Sequence, residues 1–311
     1  MISVSGLTKS YGELLAVNNI SFTVRDGEIT GLLGPNGAGK TTTIRMLTCY
    51  LKPSSGTISI HDNLVDKNPL EVKRITGYLP ENAPLYGDML VYDFLKYIAK
   101  IREIDDINRI KEISETCGLY EVMYKSINEL SKGYKQRVGL AHAMIHNPEI
   151  LILDEPTSGL DPNQIIEIRN LIKEIGRKKT VILSTHILSE VEATCDRVII
   201  INKGNIVADG RTSDLKSEAG REARILIKVG GVDFSVLSNE LDGLQGVKSV
   251  IQNSDHEDLT AATVISSTQK DLRPDIFKLI ADKGWVLYEM SKESRTLENV
   301  FRDLTQGGGD E

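Results

Sequence analysis

The chain has 311 residues and a formal net charge of −7, from 37 lysines and arginines against 44 aspartates and glutamates. That length buries a substantial core without disulfide or metal staples, and the acidic balance excludes a global basic field that would steer the chain to nucleic acid. With 40% hydrophobic and 26% charged residues, and no apolar run near the roughly 18 residues a membrane span requires, it reads as a globular protein that reaches a membrane only through a partner. Met1 leads straight into a strand pattern, so no leader peptide is expected. The three cysteines, Cys49, Cys117 and Cys195, lie far apart without ligand spacing; they read as free thiols in a reducing cytoplasm, packed beside helices.

Residues 2–24 read as strands, with near-alternation at Val17, Ile20, Phe22 and Val24 and a turn at Tyr11-Gly12. Tyr11 has two readings there: a ring packed on the strand layer, or an exposed ring able to stack on a purine. After the turn Asp26-Gly27, the short apolar run Ile29 to Leu33 is a strand. It leads into Gly34-Pro35-Asn36-Gly37-Ala38-Gly39-Lys40-Thr41-Thr42 and then a helical pattern through Thr43, Ile44, Met46 and Leu47. Glycines at 34, 37 and 39 let the backbone bend tightly and approach a ligand. Loop N–H groups and the positive helix end then face one point, where a phosphate chain fits. Lys40 adds a point charge for β/γ-phosphates, and the Thr41 hydroxyl suits Mg²⁺. Strand, glycine spacing, Lys-Thr and helix together make a P-loop.

Further along, Pro53-Ser54-Ser55-Gly56 is a turn, Thr57 to Ile60 a strand, and Ile75 to Leu79 another, closed by Pro80. From about Glu81 to His146 strand signals give way to helical spacing: Val91, Phe94, Leu95, Ile98 and Ile101, then Ile107, Ile110, Ile113 and Leu119. This is a helical insertion in an α/β domain. His142 and His146 stand four apart, but no carboxylate or cysteine completes a metal set, so they read as packing or surface residues. Ile150 to Leu153 is a continuous apolar run ending in Asp154 and Glu155, the mark of a strand buried on both faces in a parallel sheet. Acids at its carboxyl end lie where such sheets bind ligands.

Asp161-Pro162 opens a helix as N-cap and first-turn proline, with Ile165, Ile168, Leu171, Ile172 and Ile175 on its buried face. The compact basic run Arg177-Lys178-Lys179 reads as a solvated loop. Thr180 to Leu183 is a buried strand ending in Ser184-Thr185-His186; Arg197 to Ile201 and Asn205 to Val207 form a hairpin about Lys203-Gly204. Strands and helices alternate, so the sheet is largely parallel and covered on both faces. Residues 216–220 read as a linker. Beyond it the order is strand 223–229, helix 233–242, strands 247–252 and 259–266, helix 271–283, strand 285–290 and a last helix about 297–304. That is β-α-β-β-α-β, a split βαβ unit. A frayed Gly307-Gly308-Gly309 tail closes it.

Taken together, residues 1–215 resemble the nucleotide-binding subunit of an ATP-binding-cassette (ABC) transporter. Five motifs stand in that family's order. They are the Walker A loop Gly34 to Thr42, the signature Leu130-Ser131-Lys132-Gly133-Tyr134, Walker B Ile150 to Asp154 followed by Glu155, the D-loop Ser158-Gly159-Leu160-Asp161, and the switch His186. The resemblance implies a P-loop NTPase ABC cassette at 1–215, a mixed sheet covered by helices with a helical subdomain at about 81–146; the pattern beyond it adds a small α+β ferredoxin-like accessory domain at 222–305. ATP and Mg²⁺ are the implied cofactors. Tyr11 is implied as the adenine-stacking ring, Lys40 and the rest of the loop as the phosphate cradle, and Thr41, Asp154 and Glu81 as metal ligands. Glu155 is implied as general base and His186 as the group steadying the transition state. Ser131 and Gly133 are implied to bind ATP held by an opposite cassette in a head-to-tail homodimer. The implied partner is a separate transmembrane permease touched by the region from Glu81 to Phe94, which would put the chain in the cytoplasm on the inner face of the plasma membrane.

Two departures stand out. Glu81 occupies a position usually held by glutamine, and Lys132 and Tyr134 replace the usual glycine and glutamine. Both resemble bacterial exporter subunits of the drug, sodium and gliding-motility type. The other reading, a soluble cassette ATPase on nucleic acid or ribosomes, fits less well. About ninety residues separate Walker A from the signature, which leaves no room for a long coiled coil, and the chain carries a single cassette. Its acidity adds nothing for nucleic acid. A nucleotide sensor without hydrolysis would lack Glu155 or His186.

Overall fold

The structure, a computed structural model, describes residues 1–219, 224–253, 259–266, 271–293 and Phe301. The chain divides into two compact units, Met1–Thr212 and Ser213–Glu311. The first unit runs β1 (Ile2–Tyr11), β2 (Leu14–Val24), β3 (Ile29–Leu33), α1 (Lys40–Leu47), β4 (Ser55–Ile60), β5 (Asn63–Leu64), α2 (Pro69–Ile75) and β6 (Thr76–Leu79). It continues with α3 (Val91–Ile101), α4 (Ile107–Thr116), α5 (Lys132–Met144), β7 (Ile150–Asp154), α6 (Pro162–Gly176), β8 (Thr180–Thr185), α7 (Leu188–Thr194), β9 (Arg197–Asn202) and β10 (Asn205–Arg211).

The strands form two sheets. An antiparallel sheet has the order β2-β1-β4-β5, and a mixed one the order β10-β9-β3-β8-β7-β6. In the second, β9, β3, β8, β7 and β6 are parallel and β10 turns back antiparallel at the edge. Every residue of β3, β7 and β8 is buried, which is why their sequences are apolar without alternation. Leu32, Ile152, Ile182 and Ile199 share one cluster with Val4, Phe22 and Ile58 of the antiparallel sheet and Ile44 and Leu47 of α1. Each such side chain, taken from water, stabilises the fold by about 1.5–3 kcal/mol. The pairing sets the functional edge. Leu33 of β3 lies opposite Thr185 of β8, and Ser184 opposite Asp154 of β7. The loops that begin at Gly34, Glu155 and His186 therefore leave the sheet side by side.

Between β6 and β7 the chain is helical, as its spacing predicts. Val91, Phe94, Leu95 and Ile98 are the buried face of α3, and Ile110 and Ile113 that of α4. His142 packs edge-on against Phe94, ring centroids 5.8 Å apart, and His146 places Nε2 3.0 Å from the Thr76 carbonyl.

Several sequence expectations are corrected. Ile75 is not the start of a strand but the last residue of α2, which proline opens at its first turn; the strand begins at Thr76. The basic run Arg177-Lys178-Lys179 does lie in a turn, with Arg177 and Lys178 exposed, but Lys179 is half-buried: its ammonium donates to Asn147 Oδ1 at 2.8 Å and to the Pro148 carbonyl. The stretch read as a linker carries a helix, α8 (Thr212–Ala219). Alanine, glutamate and lysine there are good helix formers, and the polar composition belongs to a helix instead.

The second unit continues with β11 (Arg224–Gly230), α9 (Phe234–Asp242), β12 (Val247–Gln252), β13 (Leu259–Ser266), α10 (Arg273–Asp282) and β14 (Val286–Glu293). Its sheet order is β12-β13-β11-β14, and every pair is antiparallel. Strands β11 and β12 thus run parallel on either side of β13, joined by α9; β13 and β14 do so around β11, joined by α10. That is the split βαβ topology. Ile225, Ile227, Val264, Leu237 and Ile276 are among the residues of its core. The expected helix at about 297–304 (Phe301 apart) and the glycine tail lie outside the described residues.

All three cysteines are free. Burial pushes the Cys117 thiol up to about 12 and that of Cys195 well above its ordinary range, so both act as inert packing residues. Among the described residues, no helix is long and apolar enough to cross a membrane.

Burial, and then the charge of Arg102, hold the His146 imidazole down to about 4 from an ordinary 6.5. Between those values the unfolded chain binds a proton that the folded chain refuses, so acid favours unfolding there. The thermal midpoint is expected to fall as pH drops from 6.5 toward 4. In His146→Gln, which keeps a donor for the Thr76 carbonyl, that fall is shallower. Parallel midpoint-versus-pH curves would contradict this.

Candidate functional site

The site begins where β3 ends. Between Leu33 and Lys40 the backbone folds tightly over the start of α1. A Cβ on Gly34 would sit 2.3 Å from the Ile201 carbonyl oxygen. Gly39, the N-cap of α1, has φ +108, and a Cβ on it would meet the Ala16 carbonyl at 2.5 Å. Only glycine tolerates both the conformation and the approach. The loop closes on Lys40, which is 5% exposed. Its ammonium reaches back to donate to the carbonyls of Gly34 at 2.8 Å and Pro35 at 3.2 Å. It also pairs with Glu155 Oε1 at 3.3 Å.

At the next residue, Thr41 Oγ1 donates to Asp154 Oδ1 at 3.2 Å, and Ser184 Oγ donates to the same oxygen at 2.6 Å. Burial pushes the Asp154 carboxyl up; the Ser184 and Thr41 hydroxyls oppose that rise, and the neighbouring Glu155 charge adds to it. Glu155 itself sits at φ +48, in the left-handed region that costs a residue with a side chain free energy and collects at functional sites. Its N–H is held by Ser184, at 3.0 Å from Oγ and 3.2 Å from the carbonyl. Its other carboxylate oxygen lies 2.9 Å from His186 Nδ1. Glu155 therefore bridges a buried cation and a half-exposed imidazole.

These groups line one cleft of about 510 Å³. Asn36, Gly37, Ala38, Gly39, Lys40, Thr41 and Thr42 form its floor, with Glu155, His186 and Glu81 around it and Tyr11 alongside. Tyr11 is 47% exposed, with the Lys9 ammonium 5.4 Å from its ring centroid. Gly34, Pro35 and Asp154 lie behind this surface: the first two offer carbonyls to Lys40, and Asp154 is reached through Thr41.

Ser131 and Gly133 are not in the cleft. Ser131 is exposed at the N-cap of α5, its Oγ accepting from Tyr134 N at 3.4 Å. Gly133 is packed so that a Cβ would meet Gln164 Cδ at 2.8 Å, and the Lys132 ammonium lies against Gly159. Asp161 caps α6 by accepting from Gln164 N at 2.9 Å.

Sequence reading did not single out Ser184, which organises both acids, nor Leu14 and Ala16, which line the cleft beside Tyr11. Ser184 could have been found only by pairing β7 with β8, because its importance is a matter of register. Leu14 and Ala16 read as ordinary strand positions.

Fold and cleft together define a P-loop nucleotide-binding protein: a glycine loop between strand and helix, a buried lysine under it, and an acid-ended strand beside it. Comparison with known proteins narrows this. The sequence model of the ABC transporter family matches residues 17–158, and one of an AAA domain described as a putative AbiEii toxin of a type IV toxin–antitoxin system matches residues 125–192. The chain is 43% identical over 310 residues to the bacitracin transport ATP-binding protein BcrA of Bacillus licheniformis, covering 99% of this chain and 98% of that one. It is 36% identical over 320 residues to the linearmycin resistance ATP-binding protein LnrL of Bacillus subtilis (strain 168), covering 98% of each. The solved dimeric structure of MJ0796, a bacterial ABC transporter cassette, superposes with a TM-score of 0.62 at 26% identity, over 68% of this chain and 98% of that one. The chain belongs to the family of ABC transporter ATP-binding subunits. It binds ATP and hydrolyses it to energise transport through a separate membrane subunit.

The loop geometry separates its glycines. Gly34→Ala forces a Cβ onto backbone and is expected to destabilise by about 1–3 kcal/mol, with at least a tenfold loss of ATP affinity. Gly37, at φ +78, has nothing within 4 Å of an added Cβ, so Gly37→Ala is expected to lose only about 1 kcal/mol and little affinity. Thermal midpoints and ATP titrations of the two variants check the order; equal losses would contradict it.

Proposed function

We propose that ATP occupies the cleft with its phosphates on residues 34–42 and its base against Tyr11, and that hydrolysis there drives export by a permease bound to this chain. The observation that carries the reading is the convergence of Lys40, Thr41, Glu155 and His186 on one cleft, with Asp154 behind Thr41. In the structure the Lys40 ammonium is satisfied by two carbonyls and Glu155; anionic phosphate oxygens are stronger acceptors than neutral carbonyls, and the lysine turns to them. Lys40 then neutralises charge that develops on the transferring phosphoryl group. Glu155, freed from Lys40, accepts a proton from the attacking water. His186 holds the outer oxygen of Glu155 and reaches toward the γ-phosphate, steadying the transition state.

Thr41 and Asp154, already in contact, and Glu81 at the rim supply hard oxygen donors, the set that Mg²⁺ takes. Bound there, the ion would neutralise phosphate charge. A glutamate at 81 in place of glutamine keeps an oxygen and adds a charge to that set.

Ser131 and Gly133 serve the ATP of a second copy. Supporting this, they lie outside their own cleft, Ser131 is exposed at the start of α5, and a cassette of similar fold is a dimer. Residues 1–215 form the cassette and 222–305 an accessory domain. The segment from Glu81 to Phe94 meets the permease, which places the chain on the inner face of the plasma membrane. BcrA and LnrL are named for bacitracin and linearmycin; an antibiotic-like cargo is the class we infer here.

Lys40→Ala is expected to abolish ATP binding in a fluorescence titration; unchanged affinity would remove the phosphate role of the loop. Glu155→Gln is expected to bind ATP, accumulate as a dimer on a sizing column and turn over about 10²–10⁴-fold more slowly. Turnover at the wild-type rate would eliminate Glu155 as base.

A further inference from the structure

We propose that Glu190 is a positioning residue for hydrolysis: its buried carboxylate ties the loop after β7 to the loop after β8 and thereby holds Glu155 and His186 in one frame. The inference rests on the reading of those two residues as the reacting groups. Glu190 lies in the first turn of α7 and is 3% exposed, yet no cation is paired with it among the described residues. Its partners are two threonine hydroxyls. Thr185 Oγ1 donates to Oε2 at 2.6 Å, and Thr157 Oγ1 donates to Oε1. Both threonines are buried, at 0% and 3% exposure.

The positions of the two threonines give the network its meaning. Thr157 is two residues beyond Glu155 and one before Ser158, which lines the cleft. Thr185 precedes His186, and its hydroxyl also accepts from the Ile187 N–H at 3.0 Å, closing the turn that carries the histidine. One carboxylate thus fixes both loops from behind. At the cleft surface the same two loops are joined a second time, by the His186–Glu155 contact. The two bridges differ in fate. The outer one is half-exposed and involves groups that phosphate and water engage, so it rearranges in each cycle. The inner one faces no solvent and no ligand. Removing one side of it leaves buried polar groups unpaired, and it therefore persists as a fixed link while the outer one opens.

A positioning residue of this kind acts on turnover and not on nucleotide affinity, because a small misplacement of a reacting group costs up to about 10²-fold in rate. The test uses the full chain. Glu190→Ala is expected to lower kcat for ATP hydrolysis about 10–100-fold, leaving KM and ATP affinity within about threefold. Glu190→Gln keeps one oxygen for Thr185 and an amide that donates to Thr157, and is expected to restore most of the loss. Wild-type kcat in Glu190→Ala would overturn the proposal, as would turnover and affinity falling together in step with the folded fraction seen by circular dichroism. If the alanine variant does not fold, Thr157→Val and Thr185→Val each cut one strut; both hydrolysing at the wild-type rate would overturn it equally. Glu155→Gln, measured in parallel, separates the two levels. Slow turnover there with full activity in Glu190→Ala removes Glu190 alone, whereas full activity in Glu155→Gln removes the base and with it the frame's purpose.

Discussion

A buried ammonium cannot stand alone, and the site is built around one. Lys40, almost wholly withdrawn from water, is satisfied by two carbonyls of its own loop and by Glu155. Desolvating such a charge is costly unless partners meet it. The partners explain the loop: Gly34 and Pro35 present carbonyls inward only because the backbone lies tight against Ile201, where no Cβ fits. They also explain Glu155, whose strained backbone is held by Ser184 so that its carboxylate faces the lysine. The same arrangement leaves the lysine ready for a phosphate, since two of its three partners are neutral carbonyls, weaker acceptors than an anionic phosphate oxygen.

The sheet supplies the second constraint. Parallel strands β3, β8 and β7 end in register, so three loops with different chemistry emerge at one edge: glycine backbone, imidazole and carboxylate. No single strand carries the site. Ser184 on β8 reaches Asp154 at the end of β7 and Glu155 just beyond it, and Thr185 and Thr157 meet on Glu190 below them. Neighbouring strands are hydrogen-bonded along their length, so the distances between these groups are set by a rigid element before any ligand arrives.

Of the helical region, Glu81 alone among the described residues lines the cleft. Ser131 caps α5 with the hydroxyl implied to serve ATP elsewhere, and that double use is consistent: a cap occupies one lone pair of the oxygen and leaves another. Lys132 against Gly159 brings the signature segment to the D-loop within one copy, so two segments read separately in the sequence form one surface.

Much of this was legible from residues alone, and the reason is local. The glycine loop, the unbroken strand ending in Asp154 and Glu155, the Asp161-Pro162 cap and the apolar spacing of α3 are written within a few neighbouring positions, where backbone sterics and side-chain period decide the outcome. The β-α-β-β-α-β order of the second unit was legible in the same way. Less so were short elements in polar context: α2 swallowed Ile75, α7 was too short to show a period, and α8 ran through residues composed like a linker. What only the tertiary structure decided is register and enclosure. That Ser184 sits beside Asp154, that Glu190 is buried between two threonines and that Lys40 pairs with Glu155 all depend on which strands lie side by side, because hydrogen bonds between distant segments are set by packing, which no local pattern encodes.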